Sequence, residues 1–402
     1  MNYKKPNILC YRIAQAASWL VSTLVFKRKL LRNEIKGKHG PFVVIANHGA
    51  ALDFVNLIGA TSRPMSFVIS NSFYSTLPIK GFLNKMGVIP KQQFQTTADD
   101  LKRIKAVINS GQPVVIYPAG LMCEDGLSTP VPTATYKFLK WLGVDVYVAR
   151  SRGSYFVMPK WAKGMRSGKT SMDIYRLFTK EELVTSDLAS IRAKTDQALL
   201  FDAYREQEEL LAEYKNNACL SGLENVLYMC PHCGEEFTIE SSGDTLRCSN
   251  CGFAQTSDKH AFLHKVSAVG TEIRYVSDWS RLIYNDLKQK IEAGVQDTLT
   301  AETKIHMIDH ERHKFIEVGE GTVCLSKSGF LIEGLLNGEK VNLSFPVDGI
   351  PTLPFTPGRH FVVQNGKEIY RCVLDEGKLA MKFINMVKIF FELSRERTAI
   401  RN

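Results

Sequence analysis

Three kinds of apolar run divide the chain. Residues 8–26 are mostly apolar but are interrupted by Arg12, Gln15 and several small side chains. A bilayer span needs about 20 predominantly apolar residues. Arg12 inside the run favours instead a helix lying in the membrane interface, with Lys4 and Lys5 before it and Lys27, Arg28, Lys29 and Arg32 after it. Residues 41–178 read differently. Short runs rich in Val, Ile and Tyr at 42–46, 66–70, 114–117, 145–149 and 171–175 alternate with helical spacing. One helix is expected to start at the N-cap Thr97, with Asp99 and Asp100 in its first turn, and to close at Gly111. Another runs from Thr133 to Gly143. Strand and helix in alternation predict an α/β layer domain with a mainly parallel sheet.

Residues 180–217 are heavily charged, with Leu and Ala at helical spacing, and predict a surface helix pair. Beyond a mixed region to about 303, short strands with turn signals at Ser328-Gly329, Asn337-Gly338 and Asn365-Gly366 take over. Residues 378–395 then read as an amphipathic helix. This pattern predicts a small β domain closed by a C-terminal helix, loosely pleckstrin-homology-like in element order. A chain of 402 residues has room for two or three such cores.

A net charge of +10 and a pI near 9.0 point to anionic partners, among them phospholipid surfaces and phosphorylated substrates. Nucleic acid is not expected, because basic and aromatic residues are not interleaved in any one patch. Four of the nine cysteines form two knuckles, Cys230-Pro-His-Cys233-Gly and Cys248-Ser-Asn-Cys251-Gly, with fourteen residues between them. Four thiolates at this spacing suit a closed tetrahedral structural zinc site, with His232 outside it. A redox or iron–sulfur site is the alternative. The intervening hairpin carries Glu235, Glu236, Glu240 and Asp244, so it suits docking or structure better than phosphate binding. Cys10, Cys123, Cys219, Cys324 and Cys372 read as small buried hydrophobes. The cysteine pattern fits a reducing compartment, and no cleavage site follows the first apolar run, so the cytosolic side is expected.

The candidate chemistry sits where the strand at 42–46 meets Asn47-His48-Gly49-Ala50-Ala51-Leu52-Asp53. Small residues after His48 allow a tight turn. Asp53 falls near the start of the next helix, where its carboxylate can accept one imidazole N–H and fix the tautomer. The other ring nitrogen is then free to take a proton from an alcohol. Loop amides near Gly120 are candidates for stabilising an oxyanion.

Asparagine, histidine, four residues and aspartate after a hydrophobic strand resembles the signature of the glycerolipid (lysophosphatidic acid type) acyltransferases, over residues 8–180. The resemblance implies that His48 deprotonates a glycerol hydroxyl, which attacks the thioester of acyl-CoA or acyl-carrier protein, while Asp53 orients His48. The family's second block, a glycine turn ending in a phosphate-binding base, is matched by Gly87-Val-Ile-Pro-Lys91 with shorter spacing. Its third block, Phe-Pro-Glu-Gly, appears as Tyr117-Pro118-Ala119-Gly120, so the family glutamate is absent and Glu124 is its candidate substitute. Arg150, Arg152 and Lys160, near a strand end, are further candidates for a phosphate. The implied layout is an interfacial helix (1–40), an acyltransferase domain with trailing helices (41–220), a zinc ribbon (226–256) and a β-rich domain (300–402). The expected partners are a membrane phospholipid surface, a lysophospholipid acceptor and, where the donor is carrier-linked, acyl-carrier protein. Attachment at the cytoplasmic face would be peripheral or monotopic. The alternative, suggested by Ala119, is a catalytically inactive lipid- or protein-binding scaffold on the same fold.

Overall fold

The computed structural model describes residues 5–91, 97–215, 220–309, 311–347, 350–365 and 368–401. Lys4, Cys219 and Gly366 lie outside them. The chain divides into two compact units. One holds the described residues up to Pro159 and from Gly164 to Lys215; the other holds Lys160–Lys163 and the described residues from Leu220 onward.

In the first unit the strands are β1 (Arg28–Asn33), β2 (Val43–Ala46), β3 (Ser66–Ser70), β4 (Ile89–Lys91), β5 (Val114–Ile116), β6 (Val146–Arg152), β7 (Ser167–Gly168), β8 (Thr170–Phe178) and β9 (Tyr214–Lys215). Seven of them form one sheet in the order β1-β8-β6-β2-β5-β3-β4, while β7 and β9 pair separately. Strands β2 to β6 run parallel, as alternation with helices requires. The expectation of a mainly parallel sheet needs one correction: β8 lies antiparallel to β6, and β1 runs parallel to β8. The link from β6 to β8 contains one turn of helix, Ser154–Val157, and no crossover helix that could return the chain for parallel pairing. Strand β1 has no apolar run because it is an exposed edge with only its two end residues half-buried.

Alternate residues of β2 serve opposite faces. Val43 and Ile45 join a core with the helices Ala98–Asn109, Thr133–Leu142 and Leu188–Leu199. Val44 and Ala46 join another with α1 (Ile8–Leu24) and α2 (Asp53–Ile58). Thr97 caps its helix in a capping box with Asp100. The charged region after 180 forms three helices, not a pair, and Leu183, Ile191, Ala198, Leu199 and Tyr204 anchor them in the interior.

Helix α1 inverts the usual pattern. Its buried residues are Tyr11, Ser18 and Ser22, whereas Ile8, Leu9, Ile13, Trp19, Leu20 and Leu24 are exposed. Small residues let it approach α2 closely: a Cβ on Gly59 would lie 3.2 Å from the Trp19 backbone. Arg28, expected to face lipid headgroups, instead donates from Nη1 to the Asn56 carbonyl and from Nη2 to that of Gly59 at 3.3 Å, satisfying the end of α2. Arg32 pairs with Asp173 at 2.8 Å.

The second unit begins with a four-stranded sheet of β10 (Ile239–Ser242), β11 (Thr245–Cys248), β12 (Ala254–Ser257) and β13 (Leu263–Lys265). The helix Val276–Glu292 follows. A seven-stranded antiparallel sheet then forms from β14 (Leu299–Asp309), β15 (Lys314–Ser326), β16 (Gly329–Leu336), β17 (Glu339–Phe345), β18 (Phe355–Thr356), β19 (His360–Asn365) and β20 (Glu368–Leu374). Asn337 and Gly338, both with positive φ, make the expected tight hairpin. The closing helix, Leu379–Arg401, is not amphipathic over its first turns: Ala380 through Val387 are all buried, together with Ile389 and Phe390. One face meets the sheet through Phe383 against Phe330 and Phe361. Another meets the cysteine segment, where Lys382 Nζ pairs with Glu236 at 2.6 Å and Lys378 Nζ donates to the Phe237 carbonyl at 3.2 Å.

The Lys382 side chain is only 8% exposed and its partner Glu236 21%. Removing the ammonium strands a half-buried carboxylate, at a cost of about 1–3 kcal/mol after allowance for its residual hydration. Lys382→Met should therefore speed amide hydrogen exchange in residues 380–390 and leave β2 and α2 unchanged. Equal protection in both proteins would show that the pair contributes nothing.

Candidate active site and metal centre

The parallel strands present their carboxyl ends on one side of the first sheet, and β2 ends there at Ala46. Two clips fix the backbone beyond it. The Asn47 carboxamide accepts from the Ser151 amide and donates to the Ser151 carbonyl, both at 2.8 Å, and so extends the β2–β6 pairing by one side-chain rung. The His48 carbonyl accepts from the Cys123 amide at 3.2 Å. Asn47, a candidate substrate ligand in the sequence, is therefore committed to bracing.

Asp53 opens α2 and is 1% exposed. Its Oδ2 accepts from the Gly49 amide at 2.8 Å and from the Ala50 amide at 2.9 Å, and lies 3.1 Å from His48 Nδ1. Desolvating a carboxylate costs several kcal/mol. Hydrogen bonds to a charged acceptor contribute roughly 1.5–3 kcal/mol each, so three of them can offset that cost. A start-of-helix position adds a favourable dipole. The small residues Gly49 and Ala50 let both amides turn toward one oxygen.

The same geometry fixes the imidazole. Nδ1–H donates to Asp53, which leaves Nε2 as the acceptor, on a side chain that keeps 20% of its exposure. The Tyr117 ring lies against it, with centroids 4.5 Å apart and planes at 37°. Burial, with the Asp53 charge as the smaller cause, raises the Tyr117 phenol well above its ordinary pKa. Tyr117 is a contact that sequence reasoning passed over; its signal was its place immediately before Pro118-Ala119-Gly120, at the end of the neighbouring strand β5.

The loop after β5 packs behind the histidine. Pro118 is buried, and the Gly120 amide donates to the Tyr117 carbonyl at 3.0 Å, so this N–H closes a turn. Glu124 is buried at 4% exposure, and its carbonyl accepts from the Tyr155 hydroxyl at 3.3 Å. Gly126 has φ +87°, and a Cβ there would stand 3.1 Å from the Tyr204 ring, so glycine is required. Cys123 is buried, as its reading as a small hydrophobe expects, and its thiol is raised by burial and by Asp125, Glu124 and Asp53.

The basic candidates do not converge on His48. Arg150 and Arg152 have the strand parity of Val146 and Val148, which belong to the face opposite Ala46. Arg150 donates to the Ala198 carbonyl at 2.9 Å and pairs with Glu206, and Arg152 reaches Glu209 at 3.5 Å. Their partners lie some fifty residues downstream, beyond local reading. Lys160 stacks 3.5 Å above the Phe355 ring in the second unit. Lys91 ends β4 on the same side of the sheet as His48. It lies three strand positions from β2, about 14 Å along the sheet. Burial lowers its pKa, with Asp100 opposing.

In the second unit the ligand atoms of Cys230, Cys233, Cys248 and Cys251 all lie within 4.8 Å of one another. Cys230 and Cys251 sulfurs are 3.7 Å apart, and those of Cys233 and Cys248 3.9 Å. Four sulfurs at about 2.3 Å from a tetrahedral zinc stand about 3.8 Å apart, so the cage fits that ion. Gly234 and Gly252 take positive φ and return their amides to the Cys230 and Cys248 carbonyls. His232 is exposed and outside the cluster.

Comparison with known proteins finds matches over two segments of the chain. Residues 25–159 match the acyltransferase family, and residues 223–254 match the zinc-ribbon family described as DNA directed RNA polymerase, 7 kDa subunit. No curated protein matches. Among solved structures, the 1-acyl-sn-glycerophosphate (LPA) acyltransferase PlsC from Thermotoga maritima aligns at 16% identity and a TM-score of 0.41, covering 52% of this chain and 80% of that one. The chain thus carries an acyltransferase-family domain at residues 25–159, followed by a four-cysteine zinc ribbon.

Proposed function

We propose that the first unit transfers a fatty acyl group from a thioester, acyl-CoA or acyl-carrier protein, to the hydroxyl of a lysoglycerophospholipid at a membrane surface. The observation that carries this reading is the Asp53 clamp on His48 Nδ1, inside the segment matched by the acyltransferase family. Nε2 takes the hydroxyl proton as the oxygen attacks the thioester carbonyl. The C–S bond breaks, and the imidazolium returns the proton to the departing thiolate. Asp53 holds the tautomer and offsets the charge that forms on the ring. Lys91, at the carboxyl end of β4, is the candidate for the acceptor's phosphate. The replacement of the family glutamate by Ala119 supports the alternative, an inactive scaffold, and the same assay separates the two.

Membrane attachment is read from α1. Among the described residues no helix is long and apolar enough to cross a membrane. The exposed side chains of α1 include six large apolar ones beside Arg12 and Thr23, with Trp19 56% and Leu20 51% exposed. Such a face is suited to the headgroup boundary. Because α1 packs on α2, the surface it contacts also bears on the helix that carries Asp53. This supports peripheral or monotopic attachment, with the cytoplasmic face the one proposed. Zinc, held by the four cysteines, is structural in this reading.

Acyl transfer from labelled acyl-CoA or acyl-carrier protein to a panel of lysolipids should fall by about 10²–10⁴-fold in His48→Ala, and by about 10²-fold or more in Asp53→Asn. Equal rates in wild type and His48→Ala would exclude the assigned base, and no transfer in wild type would favour the scaffold. Trp19→Glu with Leu20→Glu should lower co-sedimentation with anionic vesicles while leaving the thermal transition in place; unchanged binding would move the attachment elsewhere. One zinc per chain is expected by elemental analysis. Its removal with a chelator should unfold the segment 228–255 first, as seen in hydrogen exchange. Unaltered exchange without the metal would contradict a structural role.

A further inference from the structure

On the large sheet of the second unit, Ile305, Phe361 and Cys372 are fully buried, and Phe361 lies against Phe383 of the closing helix. Strand alternation therefore turns the residues between them to the opposite face. Register makes that face a grid. Arg371 lies across from His306 on one side and Val362 on the other; one step along, Val373 lies across from Lys304 and His360. Arg359 immediately precedes β19 with the parity of Phe361, but it is exposed in the turn there, and its charge is near enough to lower both Arg371 and His360.

The counter-charges of this face gather at its Lys304 end, where Glu320 lies directly across from Lys304 and Glu302 two positions along. Glu317 stands 3.7 Å from Lys304 and 4.0 Å from His306. Among the described residues, Arg359 and Arg371 form no ion pair and no side-chain hydrogen bond. Arg371 is stacked 3.5 Å above the Phe315 ring, and its Nε is buried without a partner. His360 Nδ1 is likewise buried without a partner, while its Nε2 meets Thr356 Oγ1 at 3.3 Å. Burial first, then the neighbouring cations, push His360 down to about 3 and Arg371 to about 10. A cluster of like charges with unused buried donors is costly by itself, and an anion supplies both the missing charge and the missing acceptors.

We propose that this face binds a phosphate group, with Arg371 and Arg359 as its charged donors and Lys304 and His306 framing it. Guanidinium groups match phosphate oxygens in geometry and form strong charge-assisted hydrogen bonds with them. The cation–π stack on Phe315 holds the Arg371 plane without consuming a donor. The site is independent of the acyl-transfer reading, since it uses neither His48 nor Asp53 and is tested by binding alone.

Isothermal titration of the full chain with inorganic phosphate should show saturable binding. Losing one charge-assisted contact should weaken it about tenfold or more, in Arg371→Gln and separately in Arg359→Gln. Arg359 is exposed, so its variant tests the site even where Arg371→Gln fails to fold. Phosphatidylcholine vesicles with and without phosphatidate then distinguish the source. A phosphatidate-dependent increase in co-sedimentation that Arg359→Gln abolishes identifies a lipid headgroup, whereas phosphate binding without that increase identifies a soluble phosphate. No binding of inorganic phosphate to wild type, or equal binding by wild type and both variants, overturns the proposal.

Discussion

A single carboxylate oxygen organises the candidate active site. Asp53 Oδ2 gathers the Gly49 and Ala50 amides and the His48 ring, so the turn and the histidine tautomer are fixed by the same atom. Burial makes this expensive to maintain and strong once made, because the local dielectric amplifies every bond the oxygen accepts. Other parts of the first unit support it. Asn47 pins the strand end to β6, Cys123 holds the His48 carbonyl, Arg28 satisfies the far end of α2, and α1 packs along that helix. A substitution at any of these positions reaches the histidine through backbone placement, with no substrate contact required.

The second unit relies on a different fastening. The cysteine cage holds two short turns that could not by themselves bury enough apolar surface to fold. Trp279 Nε1 donates to the Met229 carbonyl at 2.9 Å, and Lys382 reaches Glu236 from the closing helix. The ribbon is thereby built into the packing of the β-rich sheet and its helix. Of the acidic residues in its hairpin, Glu236 is used inside the protein.

What the sequence disclosed is what depends on short spacing. The core strands β2, β3, β5, β6 and β8, the N-cap at Thr97, the Asn337-Gly338 hairpin and the proximity of His48 to Asp53 all arise within a few residues, where periodicity and turn chemistry decide. The cysteine knuckles were equally legible, since two CxxCG turns admit few arrangements. The misread parts turn on distant partners. The closing helix looked amphipathic because Lys378 and Lys382 resemble a solvent face, yet both bond to the ribbon about 140 residues earlier. Arg150 looked like a ligand for phosphate until Glu206 and the Ala198 carbonyl claimed it. Strand β1 gave no apolar signal because edge pairing with β8 needs only backbone.

The central claim is that Asp53 fixes the His48 ring with Nδ1 protonated and Nε2 bare, and the nitrogen chemical shifts of that imidazole in ¹⁵N-labelled protein report this directly. The account predicts the Nδ1–H tautomer for neutral His48 in wild type and a loss of that preference in Asp53→Asn. A neutral ring protonated at Nε2, or one whose tautomer ignores the Asp53 substitution, would contradict it.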